Sequence, residues 1–120
     1  MSEPSVLDPQ AIENLRALNP GDNDEFLREI AEIFLEDTPQ RINELDQSLL
    51  AGDVAKFTRA AHSIKGSSAN VGATALRAVA ERLEQQARTQ GLTGVASLIE
   101  QVKSEFGRTK IALHTLIGKK

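Results

Sequence analysis

His62, Lys65 and Gly66, in the run Ala61-His62-Ser63-Ile64-Lys65-Gly66-Ser67-Ser68-Ala69-Asn70-Val71-Gly72-Ala73, are the residues whose types and spacing point to chemistry. At about 100° per residue, positions 62, 65, 66 and 69 share one stripe of a helix, while Phe57, Ala61, Ile64 and Ser68 share another, mostly apolar one. His62 is therefore expected to face away from the core and Ala61 toward it. A neutral imidazole offers a ring-nitrogen lone pair to an electrophilic phosphorus without needing a strong base. Lys65, one turn on, can offset the negative charge a phosphoryl group brings, and Arg59, one turn before, adds a second cation to the face.

Gly66 is the odd residue, because glycine inside a helix costs about 1 kcal/mol relative to alanine. Access explains it. Lying at i+4 from His62, and with Ala69 at i+7, it leaves a bare floor on which another protein can approach the ring. A lone exposed histidine with a lysine three residues on is by itself an ordinary solvated pair. The small run Ser67-Ser68-Ala69 and Gly72, which weaken a helix that otherwise needs strength, shift the reading toward a built site.

At these residues the chain resembles the histidine-containing phosphotransfer (HPt) domains, whose pattern reads His-x-x-Lys-Gly, small residues, then Gly-Ala about six positions later. His62, Lys65, Gly66, Gly72 and Ala73 match it. Phe34-Leu35-Glu36-Asp37-Thr38-Pro39, Ala51-Gly52-Asp53, Leu76 and Leu83-Glu84 extend the similarity, so that it covers roughly residues 8 to 117 with no departure at the central positions. The resemblance implies a phosphocarrier of a multistep two-component phosphorelay. In that family the phosphoryl group passes reversibly from a receiver domain's aspartyl phosphate to histidine Nε2 and on to another receiver. His62 would be the phosphoacceptor, Lys65 the phosphate-supporting cation, and Gly66, Arg59 and Ala69 the receiver-docking residues. The receiver would bring the acidic pocket and Mg²⁺; the chain itself would hold no cofactor and would not be a free-standing enzyme.

Composition narrows the alternatives. The 120 residues fit one domain, too short for a kinase with its ATP site, and contain no cysteine, so disulfides and thiolate metal sites are excluded. The net charge of −3, with phenylalanine as the sole aromatic type, argues against a nucleic-acid binder, which needs a basic face or stacking platforms. His62 and His114 share no carboxylate pattern, so no metal site is expected. Neither a Gly-x-Ser-x-Gly elbow nor a Gly-x-x-x-x-Gly-Lys loop is present. No signal peptide and no membrane-length apolar run appears, and a soluble, cytoplasmic monomer is the expectation. A non-phosphorylated helical adaptor that binds receivers through the same face is the rival from another class. A relative that mainly drains phosphate from a receiver is a third.

Helical periodicity runs almost throughout, which predicts an all-α fold: an antiparallel up-down-up-down four-helix bundle with a short extra N-terminal helix across one end. Residues 1–7 are expected as a flexible leader, 8–117 as the domain and 118–120 as a tail. The first helix starts at Asp8-Pro9 and stops before Asn19-Pro20-Gly21. The second starts near Asp22 with a capping box to Glu25, carries the stripe Phe26, Ile30, Ile33, Phe34, Ile42, Leu45 and Leu49, and kinks or restarts at Pro39, the resemblance favouring a kink. Gly52 closes it, and Asp53 opens the third, which buries Val54, Phe57, Ala61 and Ile64. Gly72 marks the turn to the fourth, with Leu76, Val79, Ala80, Leu83 and Ala87 inward and Gly91 at its end. The fifth runs from about Thr93, with Val95, Ile99, Val102, Phe106, Leu113 and Ile117 on one side, and Gly107 is expected to weaken its middle.

Overall fold

The computed structural model describes residues 5–118. They form α1 (Pro9–Leu18), α2 (Glu25–Ala51), α3 (Val54–Asn70), α4 (Thr74–Gln90) and α5 (Ala96–Ile117). Local chemistry sets the boundaries. Asp8 caps α1 by accepting the Gln10 N–H at 3.1 Å, with Pro9 in the first turn where a missing donor costs nothing. Asp53 caps α3 in the same way, through the Lys56 N–H at 3.0 Å. The connections 52–53, 71–73 and 91–95 are short, so consecutive long helices run antiparallel; α2–α3, α3–α4 and α4–α5 pack as neighbours, and α2–α5 contacts close the bundle.

In α3, α4 and α5 most of the core is where the period placed it. Phe57, Ala61, Ile64, Leu76, Leu83 and Leu113 are fully buried, and Phe34 meets Phe106 across α2 and α5 with ring centroids 5.8 Å apart. The buried hydroxyls of Ser48, Ser68 and Thr109 donate back to carbonyls one turn earlier, which removes the cost of leaving these three unpaired inside the bundle.

Several sequence expectations shift. α2 begins at Glu25, not Asp22: Asp22 still caps it, its carboxylate accepting the Phe26 N–H at 3.0 Å, but Asp24 in left-handed backbone occupies the cap position and no Glu25 capping box forms. The buried stripe of α2 is Leu27, Ala31, Phe34, Thr38, Ile42, Leu45 and Ser48, rotated from the expected one, so Phe26 and Ile30 are half-buried and Ile33 is exposed. α2 passes through Pro39 without a break, and Thr38 is helical, not a cap. Val54, at the solvent end of α3, is 40% exposed. α5 starts at Ala96 because the backbone at Gly94 is left-handed, and it continues unbroken through Gly107.

Residues 5 to 7, expected within a flexible leader, are held instead: the Ser5 carbonyl accepts the Ala75 N–H at 2.8 Å and Leu7 packs on the core. The leader expectation for 1–4 and the tail expectation for 119–120 lie outside the described residues.

Gly72 ties α1 to the α3–α4 turn. Its φ is +72°, its carbonyl accepts the Asp8 N–H at 2.8 Å, and a Cβ there would lie 2.7 Å from the Ala11 Cβ. Gly66 is the opposite case, with helical backbone and no atom within 4 Å of a built Cβ. Gly72→Ala should therefore lower stability by about 1–3 kcal/mol, whereas Gly66→Ala should raise it by about 1 kcal/mol. Urea unfolding of both variants checks the contrast, and equal effects would refute the assignment.

Candidate phosphoacceptor site

α3 presents His62 near its middle, on a segment anchored by four side chains buried beneath it, Phe57, Ala61, Ile64 and Ser68. The imidazole is 62% exposed. Arg59, Gly66 and Ala69 are exposed on the same side and Lys65 is half-buried, so the structure brings the expected face together. Gly72 lies apart, in the turn that ends the platform.

The centre of the site is a residue from the next helix. Glu84 of α4 is 4% exposed and reaches three groups: His62 Nδ1 at 2.9 Å and Arg88 Nη2 at 2.6 Å through Oε2, and Lys65 Nζ at 2.7 Å through Oε1. Burial pushes its carboxyl up, but hydrogen bonds from Lys65, Arg88 and His62 outweigh burial and hold it well below the usual range, at about 2. The carboxylate is thus ionised at neutral pH and can only accept. The hydrogen bond then assigns a proton to Nδ1, so that the lone pair of the neutral ring lies on Nε2 of an exposed imidazole. In its neutral form this ring is an oriented nitrogen nucleophile.

Cations surround it. Lys65 is already engaged by Glu84, so its charge is held beside the ring and is not free on its stem. Arg88, 60% exposed, extends from Glu84 toward solvent. Arg59 has no hydrogen-bond or ion-pair partner among the described residues, and with His62 and Arg88 it lines an open depression of about 510 Å³. No group of His, Cys, Asp or Glu among the described residues is arranged to hold a metal ion. A second, smaller groove of about 210 Å³ lies between α1, α2 and α3, bordered by Leu15, Ile30, the exposed Ile33, and Ser67 and Asn70 of α3. Asn70 lies about 12 Å along the helix from His62.

The Hpt domain family model matches residues 29–112, from α2 into α5. The chain belongs to the Hpt family. Among solved structures, histidine-containing phosphotransfer protein B from Pseudomonas aeruginosa PAO1 is 31% identical, with a TM-score of 0.85 over 94% of this chain and 95% of that one. Histidine-containing phosphotransfer protein 4 of Arabidopsis thaliana is 30% identical over 101 residues, 82% of this chain and 79% of that protein. Multistep phosphorelay regulator 1 of Schizosaccharomyces pombe is 29% identical over 98 residues, 82% of this chain, which spans 33% of that regulator's length. The all-helical bundle is thus the Hpt fold.

Sequence reasoning did not assign Glu84 or Arg88 to this Hpt site. One signal was legible: Glu84 follows Ala80 at i+4 on the inward stripe of α4, and a carboxylate on a buried stripe needs cationic partners, one of them Arg88 at i+4.

Because the Glu84 carboxyl is depressed in the fold, its contribution is present above the ordinary 4.5 and is lost as pH falls toward about 2. Glu84→Gln should cost stability at about pH 6 and progressively less on acidification, the difference from wild type shrinking by about 3 kcal/mol down to about pH 2. Denaturant unfolding across that range checks it; parallel profiles would mean Glu84 is not held ionised by its partners.

Proposed function

We propose that this Hpt-family phosphocarrier of two-component signalling takes its phosphoryl group on Nε2 of His62, from the aspartyl phosphate of one receiver domain, and returns it to the aspartate of another. The Nδ1–Glu84 hydrogen bond carries this reading, since it puts the lone pair of the ring on the nitrogen that an approaching receiver meets. The Nε2 lone pair attacks phosphorus in line, the phosphorus–oxygen bond of the acyl phosphate breaks, and its electron pair leaves on the donor carboxylate. Lys65, Arg59 and Arg88 offset the transferred charge.

Gly66 and Ala69 supply a floor without side chains that obstruct a partner, and the Ile33 groove continues the face with apolar surface that water solvates poorly. On this reading the Mg²⁺ and the acidic pocket belong to the receiver, and the chain is a stoichiometric intermediate that does not phosphorylate itself from ATP. We take it to act in the cytoplasm, as a monomer, with no nucleic-acid partner. The net charge of −3 fits that assignment. No described helix is long and apolar enough to cross a membrane.

Mixing the protein with phosphorylated receiver domains and Mg²⁺ should place acid-labile phosphate on His62, and His62→Gln should abolish it. Label retained elsewhere would overturn the assignment; binding without transfer to any receiver would indicate an adaptor. Gly66→Leu, whose side chain enters open space and leaves the fold intact, should weaken receiver binding by at least about tenfold. Unchanged affinity by calorimetry would show that the glycine does not serve access.

A further inference from the structure

Glu84 does more than orient the ring of the resting protein. We infer that it keeps Nδ1 protonated after phosphorylation, so that the chain carries its phosphoryl group on a cationic imidazole that leaves as a neutral one. The inference rests on His62 being the phosphoacceptor and adds the protonation state in which the group is held.

The argument is geometric. Attack through Nε2 makes the ring cationic, with the original proton still on Nδ1. Loss of that proton would leave a lone pair on Nδ1 facing the Glu84 carboxylate oxygen at 2.9 Å, two acceptors with no hydrogen between them. Glu84 cannot easily supply the hydrogen itself, because Lys65 and Arg88 keep it ionised, and it cannot swing into water from a 4%-exposed position between α3 and α4. The proton therefore stays on the ring.

The charged groups facing the ring are Glu84 and Arg88 from α4 and Lys65 and Arg59 from α3; on α2, Arg41 pairs with Asp37 and Glu44 of the same helix, and Asp46 pairs with Lys103 of α5. A phosphoryl dianion on Nε2 attracts Arg88 and Arg59, which draws positive charge away from Glu84 and strengthens its hold on Nδ1–H. The step balances without a proton acceptor. An acyl phosphate of charge −2 and a neutral ring give a carboxylate of −1 and a phosphoimidazolium of −1. In the return step the N–P electron pair goes back to Nε2 and restores the neutral ring. No proton enters or leaves, so the site needs no separate general base, and the leaving group is the better, uncharged one.

The full chain, phosphorylated with phosphoramidate, can be followed by ³¹P and long-range ¹H–¹⁵N NMR of the imidazole. Wild type should keep the Nδ1 proton on the phosphorylated ring to above about pH 8, at least one pH unit beyond Glu84→Gln, whose amide can turn to donate to a bare Nδ1. The phosphorylated Glu84→Gln protein should correspondingly hydrolyse at least about fivefold more slowly at about pH 8. Arg88→Ala, which removes a cation competing for the same carboxylate oxygen, should move the midpoint in the opposite direction. Equal midpoints in wild type and Glu84→Gln, or an unprotonated Nδ1 in wild type at about pH 7, would overturn the inference while leaving His62 as carrier. Absence of any Nε2-linked phosphorus would overturn the carrier reading as well.

Discussion

A carboxylate buried between two helices is the constraint on which the functional face depends. Glu84, 4% exposed, would be costly to ionise alone, and its three donors come from two elements: His62 and Lys65 from α3, Arg88 from its own helix. Meeting all three requires α3 and α4 to lie in one register, with residue 84 opposite the turn that contains residues 62 and 65. The tight turn at Gly72 and the apolar seam of Phe57, Ala61, Ile64, Leu76 and Leu83 impose that register. The His62 ring is thus oriented by the same packing that folds the bundle. No separate loop or lid is needed to assemble it.

The proposed docking side obeys a different rule. On the proposed reading this helix surface is covered by another protein and is not optimised for its own stability, and Gly66 fits that conflict: its backbone is ordinary helix and a side chain would fit, yet none is there. The stability forgone is small, about 1 kcal/mol, against a bundle with more than twenty buried apolar side chains. Ile33, exposed beside a groove between three helices, is a similar concession in the opposite sense, apolar surface left in water.

The residues that were legible in the sequence are those governed by short-range rules. The 3.6-residue period found the core of α3, α4 and most of α5, and capping chemistry found the starts at Asp8 and Asp53. The stripe of α2 was misplaced because its first half borders α1 on one side and α3 on the other. Two partial interfaces spread the apolar residues over a wider arc than a single stripe allows. The left-handed backbone at Asp24 and Gly94 shortened α2 and α5 at their starts, a feature that a run of turn-forming residues announces without saying where it ends. Pro39 leaves the helix intact because packing on either side outweighs one lost donor. His62, Lys65 and Gly66 were legible as a face, but not the tether beneath them. A helical wheel relates residues within one helix, whereas the pairing of 62 and 65 with 84 exists only once two helices are in register.

That tether bears on how a passive carrier can be fast in both directions. A reversible relay requires that neither the free nor the phosphorylated imidazole be overstabilised, since whatever deepens one well slows escape from it. A lone cation beside the ring would favour the phosphorylated state, and a lone carboxylate would favour the cationic ring against the incoming dianion. Here Lys65, Arg88 and Glu84 form one cluster in which the acid and its bases are already paired before phosphate arrives. On the proposed reading, phosphorylation redistributes those pairings without creating them. Both wells would then draw on the same side chains, which leaves the direction of flow to the receivers in the proposed relay.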